Sequence, residues 1–395
     1  IAREVADEYS TPQWPCFVLG SVGPGTKLPT LGHIEATELR DAYQRQVAAM
    51  IRGGIDAVQI ETCQDLQQAK AAVIGAKRAR RAVGVDLPIL VSVTVETTGV
   101  MLLGSEIGAA LTTLAPLGVD MIGLNCATGP AEMGEHLRYL ARNARIGISV
   151  MPNAGLPELG PNGAVYPLTP QELADALDEF ATVHGVSLVG GCCGTTPDHI
   201  RAVREMLGRD RAVVAREADP GNALASLYAE VPFAQDASYL AIGERTNANG
   251  SKAFREAMLA GSLDECVDIA RAQSSSGAHV LDLCVDYVGR DGTVDMTALS
   301  KLFATSVTLP VMIDSTEPEV IEAGLNHLPG RSIINSVNFE DGDGPDSRFQ
   351  RVMPIVREHG AAVVALTIDE EGQARTAEWK VRVAERLIQA LTGQW

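Results

Sequence analysis

The chain has 395 residues, 46% of them apolar and 4% aromatic, enough for two cores, so two domains are the starting expectation. A net charge of −18 disfavours nucleic acid or an anionic membrane surface as the main partner, and any anionic ligand would need locally placed donors. No apolar run approaches the roughly 18 residues of a membrane span and no signal peptide opens the chain, so the protein reads as cytoplasmic. Seven cysteines, an odd number spread over a long chain, do not resemble a disulfide framework.

Ile1 to Ser10 reads as an amphipathic helix. Cys16 to Val22 reads as a strand running into Gly20-Ser21-Val22-Gly23-Pro24-Gly25, a loop whose amides suit a carboxylate. A helix from about Ala36 to Gly53 follows, then a strand from Ile55 to Glu61. Further strands are expected at Pro88 to Thr94, Val119 to Cys126, Ile146 to Pro152 and Ser187 to Cys193. Helical segments such as Leu66 to Val83, Glu132 to Ala144 and Gln171 to His184 separate them. Thr169 and Glu172 form a capping box at the last of these, with Pro170 in its first turn. Alternating strands and helices indicate a parallel sheet with right-handed crossovers. Six β/α units are visible where a closed (β/α)8 barrel needs eight, which puts two units upstream of Ile1.

The rhythm breaks from Gly208 to Ser238, where Pro220-Gly221 and Val231-Pro232 suggest a connection between domains, set at 215–238. Strands resume at Tyr239 to Thr246, His279 to Asp286, Pro310 to Asp314, Arg331 to Val337 and Ala361 to Asp369. Five units are visible and the chain ends inside a helix at Trp395. The expected fold class is therefore α/β, with two (β/α)8 TIM-type barrels in tandem, the first truncated at its N-terminus (1–214) and the second at its C-terminus (239–395).

Chemistry concentrates in Gly190-Gly191-Cys192-Cys193-Gly194-Thr195-Thr196-Pro197. Adjacent strand residues point to opposite faces, so Cys192 and Cys193 share a target only if the backbone turns sharply between them, which glycine permits. Thr196 would cap a helix with Pro197 at its first position. Cys126 ends an earlier strand, and strand ends on one face of a barrel converge. Three thiolates favour zinc and leave a fourth position open for a substrate thiol, whose free pKa is roughly 8.5. Two other readings stand beside this one: three buried small hydrophobes, or a strained vicinal disulfide between Cys192 and Cys193. Cys16, Cys63, Cys266 and Cys284 have no such company and read as packing.

Gly123-Leu124-Asn125-Cys126, together with the segment from Gly190 to Pro197, resembles the zinc signature of the homocysteine S-methyltransferases. Gly20 to Pro24 and Ile60-Glu61-Thr62 match segments of that family, and the similarity covers Ile1 to about Val214. The resemblance implies that Cys126, Cys192 and Cys193 bind Zn2+ and that the homocysteine sulfur becomes the fourth ligand. It also implies homocysteine binding by Glu61, which would hold the ammonium group, and by Ser21. Helix-start solvation is the alternative reading of Glu61. Asn153 ends another strand, where it would line the pocket or contact the metal.

In the second half polar residues collect where strands finish: Glu244 and Asn247, Asp282 and Asp286, Asp314 and Ser315, Asn335 and Asn338, Asp369 and Glu370. Repetition over five strands suggests a pocket that demands many hydrogen bonds, as a pterin would. Helix capping or rim solvation accounts for Ser315, Asn338 and Glu370, and fits Asp314 and Asn335 poorly. Ile242 to Asn247, Met312 to Thr316 and Ile334-Asn335-Ser336 resemble the pterin-binding domain of methyltetrahydrofolate methyltransferases, which implies folate binding by Glu244, Asn247, Asp282, Asp314, Asn335 and Asp369. One departure stands out: Cys284 occupies a position where that family often has asparagine.

The tandem arrangement resembles the cobalamin-dependent methionine synthases. This implies homocysteine and 5-methyltetrahydrofolate as substrates, with the methyl group carried by cobalamin on cobalamin-binding and reactivation domains outside this fragment. A cobalamin-independent homocysteine methyltransferase fused to a dihydropteroate synthase-like domain, or a structural zinc protein without catalysis, are the rival expectations.

Overall fold

A computed structural model describes residues 1–161, 163–208, 211–219 and 221–394; Asn162, Arg209, Asp210, Pro220 and Trp395 lie outside the described residues. Contacts divide the chain into two units, Ile1–Gly221 and Asn222–Trp395.

The first unit begins with α1 (Ala2–Tyr9), β1 (Leu19–Val22), α2 (Ala36–Arg52), β2 (Ala57–Cys63), α3 (Leu66–Val83) and β3 (Ile89–Val93). It continues through α4 (Ile107–Leu114), β4 (Met121–Asn125), α5 (Pro130–Asn143) and β5 (Gly147–Met151). A small hairpin of β6 (Glu158–Gly160) and β7 (Gly163–Val165) precedes α6 (Pro170–Val183), β8 (Leu188–Val189) and α7 (Pro197–Leu207). Six strands form one sheet in the order β1-β2-β3-β4-β5-β8, all parallel. An order that never reverses is that of a sheet curling toward a barrel, and it brings successive strand ends to one rim.

Alternation along the strands separates two faces. Val58, Ile60, Val91, Val93, Ile122, Leu124, Ile148 and Val150 are buried in the apolar core. The other face carries a polar row, with Gln59 Nε2 donating to Ser92 Oγ at 3.1 Å and Ser92 Oγ lying 3.4 Å from Ser149 Oγ. Gly123 sits in this row without a side chain, because a Cβ there would meet Ser149 Oγ at 2.1 Å.

Side-chain caps fix where helices start. Asp65, fully buried, caps α3: its Oδ1 accepts from Gln67 N at 2.9 Å and from Thr30 Oγ1 at 2.6 Å, which pins the segment before α2 across the helix end. Thr169 caps α6 as expected, and Glu172 returns a carboxylate oxygen to Thr169 N at 2.8 Å. Thr169→Ala should cost about 1 kcal/mol in a denaturant titration while leaving the sheet intact.

The second unit opens with a hairpin of β9 (Ala223–Ala225) and β10 (Glu230–Pro232), inside the stretch 215–238 expected to link the domains. Then come β11 (Ile242–Gly243), α8 (Lys252–Ala260), α9 (Leu263–Ser275), β12 (Val280–Leu283), α10 (Gly292–Ser306) and β13 (Val311–Asp314). The remainder is α11 (Pro318–His327), β14 (Ile333–Val337), α12 (Arg348–His359), β15 (Ala362–Ala365), a hairpin of β16 (Ile368–Asp369) and β17 (Gly372–Gln373), and α13 (Ala377–Gly393). Five parallel strands run in the order β11-β12-β13-β14-β15.

One face of this sheet packs Leu281, Leu283, Ile313 and Ile334 against helices through Phe254, Phe303 and Phe349. The other places Val280 and Met312 around Leu224 of the first hairpin, with Ile333, Ala362 and Val364 beside them. Arg331 secures the hairpin through its guanidinium to Ala223 O at 3.0 Å and its carbonyl from Ala225 N at 3.1 Å. The apolar residues of this inner face thus stand at the strand beginnings. Asp282, Asp314 and Asn335, two residues further along their strands, occupy the same face at the opposite end.

Candidate metal and ligand sites

Cys126, Cys192 and Cys193 come together at the rim of the first sheet, each offering a sulfur within 4.8 Å of the others. Cys126 Sγ and Cys193 Sγ are 3.7 Å apart, and all seven cysteines are free thiols. Two local features turn the sulfurs inward. At the end of β4, Cys126 and Ala127 adopt left-handed backbone, φ 63° and 56°, which costs about 1–3 kcal/mol per non-glycine residue and marks a site held by its surroundings. After β8 the chain makes a tight turn closed by Thr195 N to Cys192 O at 3.2 Å, with Gly194 at φ 80° in the third position, where a side chain is disfavoured. The turn's left-handed residue follows the cysteine pair, and Cys192 N is held by Pro152 O at 2.8 Å.

Two buried asparagines brace the thiols. Asn153 accepts from Cys193 N at 3.1 Å and hydrogen-bonds the Cys126 sulfur. Asn125, 1% exposed, accepts from Thr62 N at 2.7 Å, donates to Thr62 Oγ1 at 2.8 Å, and sets its Nδ2 4.0 Å from Cys192 Sγ. Thr62 is itself left-handed at φ 59°. Asn125 therefore ties the end of β2, which carries Glu61, to the thiol cluster. The sequence places it in a strand and in the segment that resembles the zinc signature but gives it no role, since an amide in an apolar strand signals a buried partner without naming it.

The thiol of Cys126 is lowered to about 5, chiefly by the hydrogen bond from Cys192, while Cys192 is pushed up by the same bond and by burial. One proton of the pair therefore leaves easily and the other is retained. Tyr166, beyond the small hairpin, hydrogen-bonds Cys193, and its phenol is raised by desolvation and the neighbouring sulfur charge. Its ring lies against Gly194, where a Cβ would meet ring carbon at 2.3 Å. His199 supports this arm, its Nε2 lying 2.9 Å from Leu168 O while its Nδ1 accepts from Thr196 N at 3.2 Å. Thr196 and Pro197 start α7 as expected. Ser21 and Glu61 face each other at the same rim, Ser21 Oγ donating to Glu61 Oε1 at 2.5 Å.

In the second unit Asn247 joins two of the expected carboxylates, its Nδ2 reaching Asp282 Oδ2 at 2.8 Å and Asp314 Oδ2 at 2.9 Å. Burial pushes the Asp282 carboxyl up to about 6; Asp314 and Glu244 add to the effect and Asn247 opposes it. Asp314 shifts the same way for the same reason. Asn335 pairs with Asp314 in strand register and shares its face. Glu244 is exposed at the rim. Asp369 stands apart: it is buried, with Oδ2 accepting from Trp379 Nε1 at 2.8 Å and Oδ1 from Glu371 N at 3.1 Å, so both oxygens fasten α13 and the last hairpin. Glu370, lowered to about 2 by Arg386, serves the same attachment.

Residues 1–207 match the family model of homocysteine S-methyltransferase. The chain belongs to the homocysteine S-methyltransferase family. In this member of the family, residues 243–395 also match the model of pterin binding enzymes. Methionine synthase of Mycobacterium tuberculosis is 64% identical over 395 residues, and that of Mycobacterium leprae 63% identical over 399; each comparison covers 100% of this chain and 33% of the relative. The chain thus spans about a third of the length of these curated relatives. Among solved structures, the homocysteine methyltransferase MmuM from Escherichia coli aligns at 23% identity and a TM-score of 0.40, over 52% of this chain and 67% of that one. No helix among the described residues is long and apolar enough to cross a membrane.

Proposed function

We propose that this chain carries the two substrate-binding modules of a cobalamin-dependent methionine synthase. Residues 1–214 form a homocysteine-binding TIM-type barrel and residues 239–395 a methyltetrahydrofolate-binding one; of the connecting stretch 215–238, the part from Asn222 onward, with the hairpin that carries Leu224, belongs to the second module. The observation that carries the reading is the trio of sulfurs within 4.8 Å, drawn from two strand ends 66 residues apart in sequence. That donor set fits zinc: soft, anionic when deprotonated, and one short of a tetrahedral shell. Bound there, the metal would supply the positive charge that lets a substrate thiol ionise at neutral pH. Cobalamin, held on domains outside this chain, would supply methyl carriage between the two sites.

The chain's own residues bind and orient. Glu61 presents a carboxylate to the homocysteine ammonium and Ser21 steadies it through their 2.5 Å bond. Asn125 and Asn153 hold the three thiols in register, so that the substrate sulfur meets an organised centre. In the second barrel Asp282 and Asp314 accept hydrogen bonds from the pterin edge, while the remaining surface keeps the ring on the strand-end side of the apolar floor around Leu224. Free thiols throughout suit a cytoplasmic enzyme.

Two measurements test this. Cobalt-substituted protein should gain thiolate charge-transfer absorption on addition of homocysteine; an unchanged spectrum would mean a closed, structural site. Methyl transfer from 5-methyltetrahydrofolate to added cob(I)alamin should occur on the intact chain, and its absence would favour a different pterin reaction in the second barrel.

A further inference from the structure

Asn247 has no hydrogen-bonding capacity left for a ligand. Its two amide hydrogens go to Asp282 and Asp314, and its Oδ1 accepts from Asn249 N at 2.9 Å and Gly250 N at 3.0 Å. Asp282 shows the opposite condition. It is 2% exposed, and its Oδ1 is buried without a hydrogen-bond partner, at the ligand end of the inner face. Buried acceptors are rarely left so, and at the strand-end side of a sheet's inner face such an oxygen is free to take a ligand's donor.

Asn249 stands next to this oxygen's strand. The loop residue Asn247 pairs with Cys284, two positions beyond Asp282, which lays the 247–250 loop along the end of β12. Asn249 is exposed, and its Nδ2 lies 3.5 Å from Cys284 Sγ. Sulfur is a weak acceptor, so a ligand oxygen or ring nitrogen would replace it with gain. Cys284 is itself buried and its thiol pushed up to about 12 by burial, so it stays neutral and offers the amide no charge. The Asn249 Oδ1 takes no hydrogen bond within the described residues. Among the amides of this loop, Asn249 thus has both a donor and an acceptor to offer.

We propose that Asn249 is the amide that contacts the pterin ring, beside the unpaired Asp282 oxygen, and that Asn247 is a positioning residue holding the two carboxylates in place. The assignment rests on the pterin reading of the second barrel. A pterin edge carries adjacent donors, its ring N–H and amino group, flanked by acceptors; a lone carboxylate oxygen takes the donors, and an amide that both gives and accepts matches the flank.

The test uses the intact chain and two probes: 5-methyltetrahydrofolate, and 6-methyltetrahydropterin, which has the ring without the benzoylglutamate tail. Asn249→Ala should weaken both about tenfold by the same factor, with an unchanged pH profile of binding, since one neutral hydrogen-bonded contact is lost. Asn247→Ala should weaken both and also move the pH profile, because the carboxylates lose their shared donor. The Asn249 side chain touches one sulfur at an exposed loop, so its replacement leaves the fold in place and melting curves should coincide. Unchanged affinity for both probes, or a loss confined to the folate, overturns the Asn249 assignment. Failure of the unmodified chain to bind either probe would instead overturn the pterin reading itself.

Discussion

Cys192→Ser is expected to abolish stoichiometric metal binding and, with it, homocysteine binding, while 5-methyltetrahydrofolate binding is unchanged. The substitution changes one atom. Cys192 N still reaches Pro152 O and its carbonyl still accepts from Thr195, so the turn that presents the thiols persists. What disappears is one of three soft donors around the shared point. Partners outside the ligand shell commonly carry roughly 10–100-fold in metal affinity, and a ligand itself should exceed that. The measurement is metal content after dialysis against a chelator, with folate affinity as the internal control in the other unit. One equivalent of zinc retained at unchanged affinity would remove the three-sulfur centre from consideration. Equal loss of folate binding would contradict independent modules.

Asp282→Asn is expected to change stability in a pH-dependent way and to weaken pterin binding more than tenfold. The folded-state carboxyl titrates at about 6, above its ordinary 3.8, because burial disfavours the ion. Between those values the native protein holds a proton that the unfolded chain has released. Stability from this residue is therefore full below pH 3.8 and lost as pH rises through 6, a swing on the order of 3 kcal/mol. An asparagine cannot titrate, so the variant should gain on the parent by that amount between pH 4 and pH 7.5 in urea titrations. The ligand-facing acceptor is lost at the same time, and a hydrogen bond to a charged group is worth about 1.5–3 kcal/mol. Parallel pH curves for the two proteins would show that Asp282 is not the group held up by burial. This is a site that sacrifices stability for a carboxylate in the right place.

Much of the architecture was legible because the strands are short apolar runs between amphipathic helices. Each of the eleven expected strands is present; most are shorter than expected, β2 runs on to Cys63, and the expected strand from Ala361 to Asp369 divides into β15 and β16. Helix α4 went unread because it is buried on nearly every side, Ile107 through Leu111 included, and so lacks the one-sided periodicity that betrays a surface helix. The three hairpins β6–β7, β9–β10 and β16–β17 also went unread, since strands of two or three residues carry too little alternation to register. The middle one lies in a stretch whose turn-rich composition suggested a connection. Leu224 fills the floor under the second sheet there, a role that only contact reveals.

Residue types and spacing by themselves determined the order of β/α units, the rim to which polar side chains are delivered, and the candidacy of Cys126, Cys192 and Cys193. Those follow from periodicity and from the rule that parallel strands end together. Partnership was decided only in three dimensions. The convergence of the sulfurs depends on left-handed backbone at Cys126 and on the turn after Cys192. Likewise, Asp369 and Asp282 look alike as strand-end aspartates, yet one has both oxygens taken by Trp379 and Glu371 while the other keeps one oxygen bare. A carboxylate's availability is set by what folds against it, and those neighbours come from elsewhere in the chain.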